Sequence, residues 1–190
     1  MHWIQALVSP REVFANVRET HPVAVVRLLP QGFCLIPITE KFVAGLSAAG
    51  WAADDPPSIP ALDMAPGVCA FATDASFRGP VVFVATYIHG GTGGQDAVVW
   101  NQGKLVTSFH EDEESMSTWP DSSISRALRK VGILARPGED EFDAIGLGTH
   151  RSTEAWAAGI EKIIPARLIA QVNTTIPPGE ARRPWWKLWK

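Results

Sequence analysis

A histidine standing before a run of glycines is the first place in this chain to look for proton or phosphate chemistry. The stretch YIHGGTGGQDAVVW, residues 87–100, sets His89 ahead of Gly90, Gly91, Thr92, Gly93 and Gly94. A Walker loop would need a lysine and a hydroxyl after its last glycine, and a dinucleotide loop needs spaced glycines that open a helix. Here Gln95 takes the lysine's place, and the β-type run AVVW follows. The backbone amides could still form an anion nest, but the pattern fits a hairpin tip, with Gly91, Thr92 and Gly93 placed where a partner would touch it. His89 is the best single residue for proton transfer, with Tyr87 one strand period back and Asp96 across the hairpin as a possible carboxylate neighbour. A small hydrolase or transferase built on His89 is therefore the alternative reading of function.

Two acidic runs compete for attention. FHEDEES, residues 109–115, packs His110, Glu111, Asp112, Glu113 and Glu114 together, yet it matches neither H-E-x-x-H nor a calcium loop, so no metal is expected and a solvated acidic loop is. Glu139, Asp140, Glu141 and Asp143 flank Phe142 and Ile145, which suits carboxylates at a helix start, where they complement the dipole. Sharing one face, the two runs would form an acidic surface for a basic partner protein.

Nucleophiles are no better placed. There is no G-x-S-x-G elbow, and Cys34 and Cys69 lie in the apolar runs GFCLIPI and GVCAFAT, where a thiol behaves as a small hydrophobe. His150 precedes Ser152, an expected N-cap. No cofactor is implied, and a non-enzymatic protein-binding module is the expectation.

The end of the chain, PPGEARRPWWKLWK, sets Trp185, Trp186 and Trp189 among four cations. That composition suits docking on the protein's own body or a second copy, a protein partner, or a membrane surface. It carries +3, leaving −6 for residues 1–176 of a chain whose net charge is −3. An acidic body with no basic stripe is a poor match for nucleic acid. The start, MHWIQALVSPREVF, lacks the regions of a secretory signal, and no run approaches the roughly 18 apolar residues of a membrane span, so a cytoplasmic location is expected.

The elements that must position these groups read as one α+β domain over residues 1–176, with an antiparallel sheet and an appended tail at 177–190. SPREVFANVRET carries a capping box, Ser9 to Glu12, for a helix near 10–20. Further helices are expected near 39–49, 122–131 and 152–163. PVAVVRLLP and GFCLIPI flank the turn Pro30-Gln31-Gly32, while residues 52–67, with four prolines, read as a long loop. VCAFATDASF, PVVFVATYI and DAVVWNQGKLVTSF suggest a meander that includes 80–87 and 96–107, with a turn at Asn101-Gln102-Gly103.

Taken in order, HGGTGGQDAVVWNQG, SISRALRKVGIL and DEFDAIGLGTHRSTEAW resemble small uncharacterised bacterial cytoplasmic proteins of the polymorphic-toxin immunity type, over about residues 68–156. The resemblance implies binding to a basic toxin and transfers no catalytic residue.

Overall fold

The computed structural model describes residues 2–52, 64–89, 92–112 and 120–159. Six strands form one antiparallel sheet: β1 (His2–Pro10), β2 (Arg27–Leu28), β3 (Phe33–Pro37), β4 (Val81–His89), β5 (Thr92–Asn101) and β6 (Lys104–Glu111), in the order β2-β3-β1-β4-β5-β6. Successive strand residues point to opposite faces. In β4 this sends Val81, Phe83 and Ala85 to one core and Val82 and Val84 to another. The first core lies under α1 (Val17–Thr20), α2 (Glu40–Ala48) and α3 (Pro66–Ala75), the second under α4 (Ser123–Lys130), α5 (Glu141–Ala144) and α6 (Thr153–Ala158). Burial on both faces is why the middle strands read as apolar runs instead of alternating. The fold is α+β with an antiparallel sheet, as the sequence led one to expect.

Local chemistry sets the helix limits. Thr39 Oγ1 accepts from the Phe42 amide at 3.1 Å to start α2, Ser122 Oγ from Ser125 at 3.3 Å to start α4, and Ser152 Oγ from Ala155 at 3.1 Å to start α6. The expected turns at Pro30-Gln31-Gly32 and Asn101-Gln102-Gly103 are present, joining β2 to β3 and β5 to β6. Gln102 and Gly103 have φ of 53° and 72°, the left-handed pair that matches strand twist in a two-residue turn.

Three expectations are corrected. Ser9 caps no helix: it sits in β1 opposite Cys34, and its hydroxyl donates to the Pro80 carbonyl at 2.7 Å. Strand pairing takes the residue the cap would have used, leaving a 3₁₀ turn (Arg11–Phe14) and the single turn α1. VCAFATDASF is not a strand but most of α3, with Pro66 in its first turn and Val68, Phe71, Ala72 and Ala75 buried at helical spacing. Its β-branched and aromatic content reports burial, not extension. Lastly, the opening run HWIQALVSP is the strand between β3 and β4, and of PVAVVRLLP only Arg27–Leu28 is strand.

Candidate functional site

On their face of the sheet, α2 and α3 cover the end around Val81, Phe83, Val98 and Trp100. The same face continues beyond them through Trp3 and Gln5 of β1, Tyr87 and His89 of β4, Thr92, Gly94 and Asp96 of β5, and His110 of β6. Register arranges these in rows: Trp3 opposite Tyr87 and Tyr87 opposite Gly94, then Gln5, Ala85, Asp96 and His110 side by side. Trp3 is 57% and Tyr87 53% exposed. A cleft of about 330 Å³ adjoins this end, between α2 and the sheet, with Gln5, Phe83 and Glu40 in its lining.

Glycine is required here by close approach. A Cβ on Gly94 would lie 2.7 Å from the Glu111 carbonyl oxygen and 3.0 Å from the Tyr87 ring, and one on Gly93 would collide with the Tyr87 carbonyl. These glycines belong to β5, not to the hairpin tip, and Gly94 lets the Tyr87 ring lie across its strand, an aromatic covering a glycine.

Asp96 is buried, and its Oδ1 lies 2.5 Å from Nδ1 of the partly exposed His110. Burial pushes the Asp96 carboxyl above its ordinary range, opposed by the hydrogen bond and charge of His110. With Asp96 ionised, Nδ1–H donates to it, which fixes the imidazole and leaves Nε2 as the ring's other polar atom. The pair can accept a proton or present a fixed polar group to a ligand.

A β-bulge makes this pairing. Asn101 pairs with Lys104 and Trp100 with Leu105, and continuing that register would bring Phe109 opposite Asp96. A one-residue shift between Val99 and Trp100 brings His110 there instead. Sequence reasoning missed the dyad for that reason, since counting back from the turn gives the wrong partner. Trp3 was missed along with its strand.

His89 lies on the same face, but Asp96 is opposite Ala85, not His89. Four residues separate Ala85 from His89, about 13 Å along the strand, so the expected proximity of His89 and Asp96 is corrected. Thr92 and Gly93 pair with His89 and Ile88.

The acidic runs are corrected too. Glu111, Asp140 and Glu141 are buried, at 4%, 2% and 5% exposure, and cannot offer carboxylates to a partner. Asp140 caps α5, accepting from the Asp143 amide at 2.8 Å, and its burial pushes its carboxyl up. Glu141 accepts from Arg129 Nε at 2.7 Å and Nη2 at 3.1 Å, while Arg129 Nη1 reaches Asp121 at 3.1 Å. Glu111 completes a buried row with Thr86 and Gln95 on the α4 side; Thr86 Oγ1 and Gln95 Oε1 have no partner among the described residues. Asp112 is exposed, and Glu139 and Asp143 are half-buried. Gly91, Glu113, Glu114, Trp185, Trp186 and Trp189 lie outside the described residues.

Burial raises both thiols, Cys34 to about 11, which keeps them as inert core groups. Among the described residues no cluster of three or more His, Cys, Asp or Glu could hold a metal, and no helix is long and apolar enough to cross a membrane. No family model, curated protein or solved structure matches the chain. What the open sheet end does must therefore be read from its own residues.

Proposed function

We propose that the protein is a non-enzymatic binding module whose protein partner docks on the open end of the sheet, around Trp3 and Tyr87. One observation carries this reading: two large aromatic side chains, each more than half exposed, are cross-strand neighbours on the sheet. Large aromatic side chains with two rotatable bonds lose little entropy on association, which is why Trp and Tyr concentrate binding energy at interfaces. The −6 charge of residues 1–176 favours a basic partner, and an immunity-type inhibitor of a toxin is one protein of this kind. Since Glu111, Asp140 and Glu141 are internal, the surface is centred on the aromatic pair and not on the acidic runs.

The test is affinity capture from the source cell with the wild-type chain and with Trp3→Ser/Tyr87→Ser. A partner held by the wild type and lost by the double variant, with the fold intact by circular dichroism, supports the reading. A partner retained by the double variant overturns it. The 2.5 Å Asp96–His110 pair favours a second reading, a proton-transfer enzyme with His110 in place of His89 as base. That reading requires turnover that His110→Gln and Asp96→Asn both abolish.

A further inference from the structure

A second cleft, of about 290 Å³, opens between the 3₁₀ turn Arg11–Phe14, α1, the chain leaving α2 and the end of α3. His21, Trp51 and Phe71 form part of its wall. Their ring centroids lie 5.3 Å apart for His21 and Phe71, 5.6 Å for His21 and Trp51, and 5.8 Å for Trp51 and Phe71, with interplanar angles of 82°, 62° and 67°. Trp51 is the half-buried ring of the three, while His21 and Phe71 are buried, at 8% and 2% exposure. At the rim stand the exposed carboxylates of Glu12 and Asp74. Arg78 also lines the cleft, 3.4 Å from Asp74 Oδ2 and donating to the Val13 carbonyl at 3.3 Å.

We propose that this cleft binds the trimethylammonium group of a small quaternary ammonium compound. Such a cation has no N–H to donate, so hydrogen-bond acceptors alone cannot hold it; an indole ring such as Trp51 with nearby carboxylates can. Two carboxylates against one arginine disfavour an anion. The volume, at the lower end for small-molecule sites, suits a headgroup and not a large ligand. Arg78 is the competing cation: its pair with Asp74 is exposed on both sides and weak enough to open. The site is separate from the open sheet end, so its fate does not depend on the partner proposed there.

The experiment titrates the full chain with choline and with 3,3-dimethylbutan-1-ol, its uncharged carbon isostere, following backbone amides by NMR. Choline should bind in the millimolar range, shift residues 12–21 and 71–78, and bind roughly fivefold to tenfold tighter than the alcohol. Glu12→Gln and Asp74→Asn, both at exposed positions, should each weaken choline about threefold, Trp51→Leu should weaken it most, and Arg78→Gln should tighten it. Equal binding of the alcohol, shifts confined to other residues, or no shift at saturating choline each overturn the proposal, as does an Arg78→Gln variant that binds choline more weakly.

Discussion

Arg129 of α4 holds the buried Glu141 and the exposed Asp121 while Asp140 closes the first turn of α5, so part of a run of acids conspicuous in the sequence ends in a cap and an ion pair. On the opposite face, at the sheet's open end, Asp96 reaches across to His110 beside an exposed Trp3 and Tyr87, groups drawn from four strands. Charges that are neighbours in sequence are readily absorbed by local structure, as caps and short-range pairs. Groups brought together only by register remain available, because no local element has a use for them.

The largest expected effect falls on the open sheet end. Gly93→Ala drives a Cβ into the Tyr87 carbonyl at a residue with φ of 155°, and should cost on the order of 4 kcal/mol, read as a large fall in the denaturation midpoint. If the midpoint holds, the sheet end is not the rigid platform on which the comparison depends.

Acid sharpens the contrast next. His2, on the α4 side with its ring 5.9 Å from Phe142, has its pKa lowered to about 4, chiefly by burial. Between about pH 6.5 and 4 the unfolded chain therefore binds the extra proton, and stability falls with pH by on the order of 3 kcal/mol. Asp96 works in the opposite direction. Its raised carboxyl penalises the ionised folded form, a penalty that fades as pH drops toward the ordinary carboxylate range. Urea denaturation from pH 7 to 4 should show the net loss, and His2→Phe should flatten it.

Arg129→Met comes third. It strands the buried Glu141 and should destabilise by about 2 kcal/mol, less than for a fully buried pair because Arg129 is half exposed. The smallest effect belongs to the open face. Asp96→Asn removes a desolvated charge and should leave stability unchanged or raised by under about 1 kcal/mol near neutral pH. A loss of 2 kcal/mol or more would make the dyad as structural as the Arg129 network and erase the distinction.

Where local signals and tertiary demand agree, the sequence is readable. Thr39 and Ser152 cap helices because each precedes an apolar helical stripe, and the Gln102-Gly103 turn declares itself by residues that tolerate positive φ. Ser9 carries an equally good capping signal, but burial in β1 decides otherwise. The error at α3 has the same root, since Val68 and Phe71 suit any buried element and only Pro66 hinted at a helix start. The open sheet end was half legible: its hairpin followed from glycine and alternation, while the dyad depended on a bulge with no local marker.

The sheet order also governs timing. β1 is made first, yet it lies between β3 and β4, and about 45 residues separate the end of β3 from the start of β4. At roughly 5–20 residues per second a ribosome needs about 2–9 s to deliver β4 after β3 is complete. During that interval a strand bearing Ile4, Ala6, Leu7 and Val8 has one edge unmatched. The nascent chain thus exposes a sticky apolar edge for seconds, an opening for chaperones or for aggregation that the finished sheet conceals.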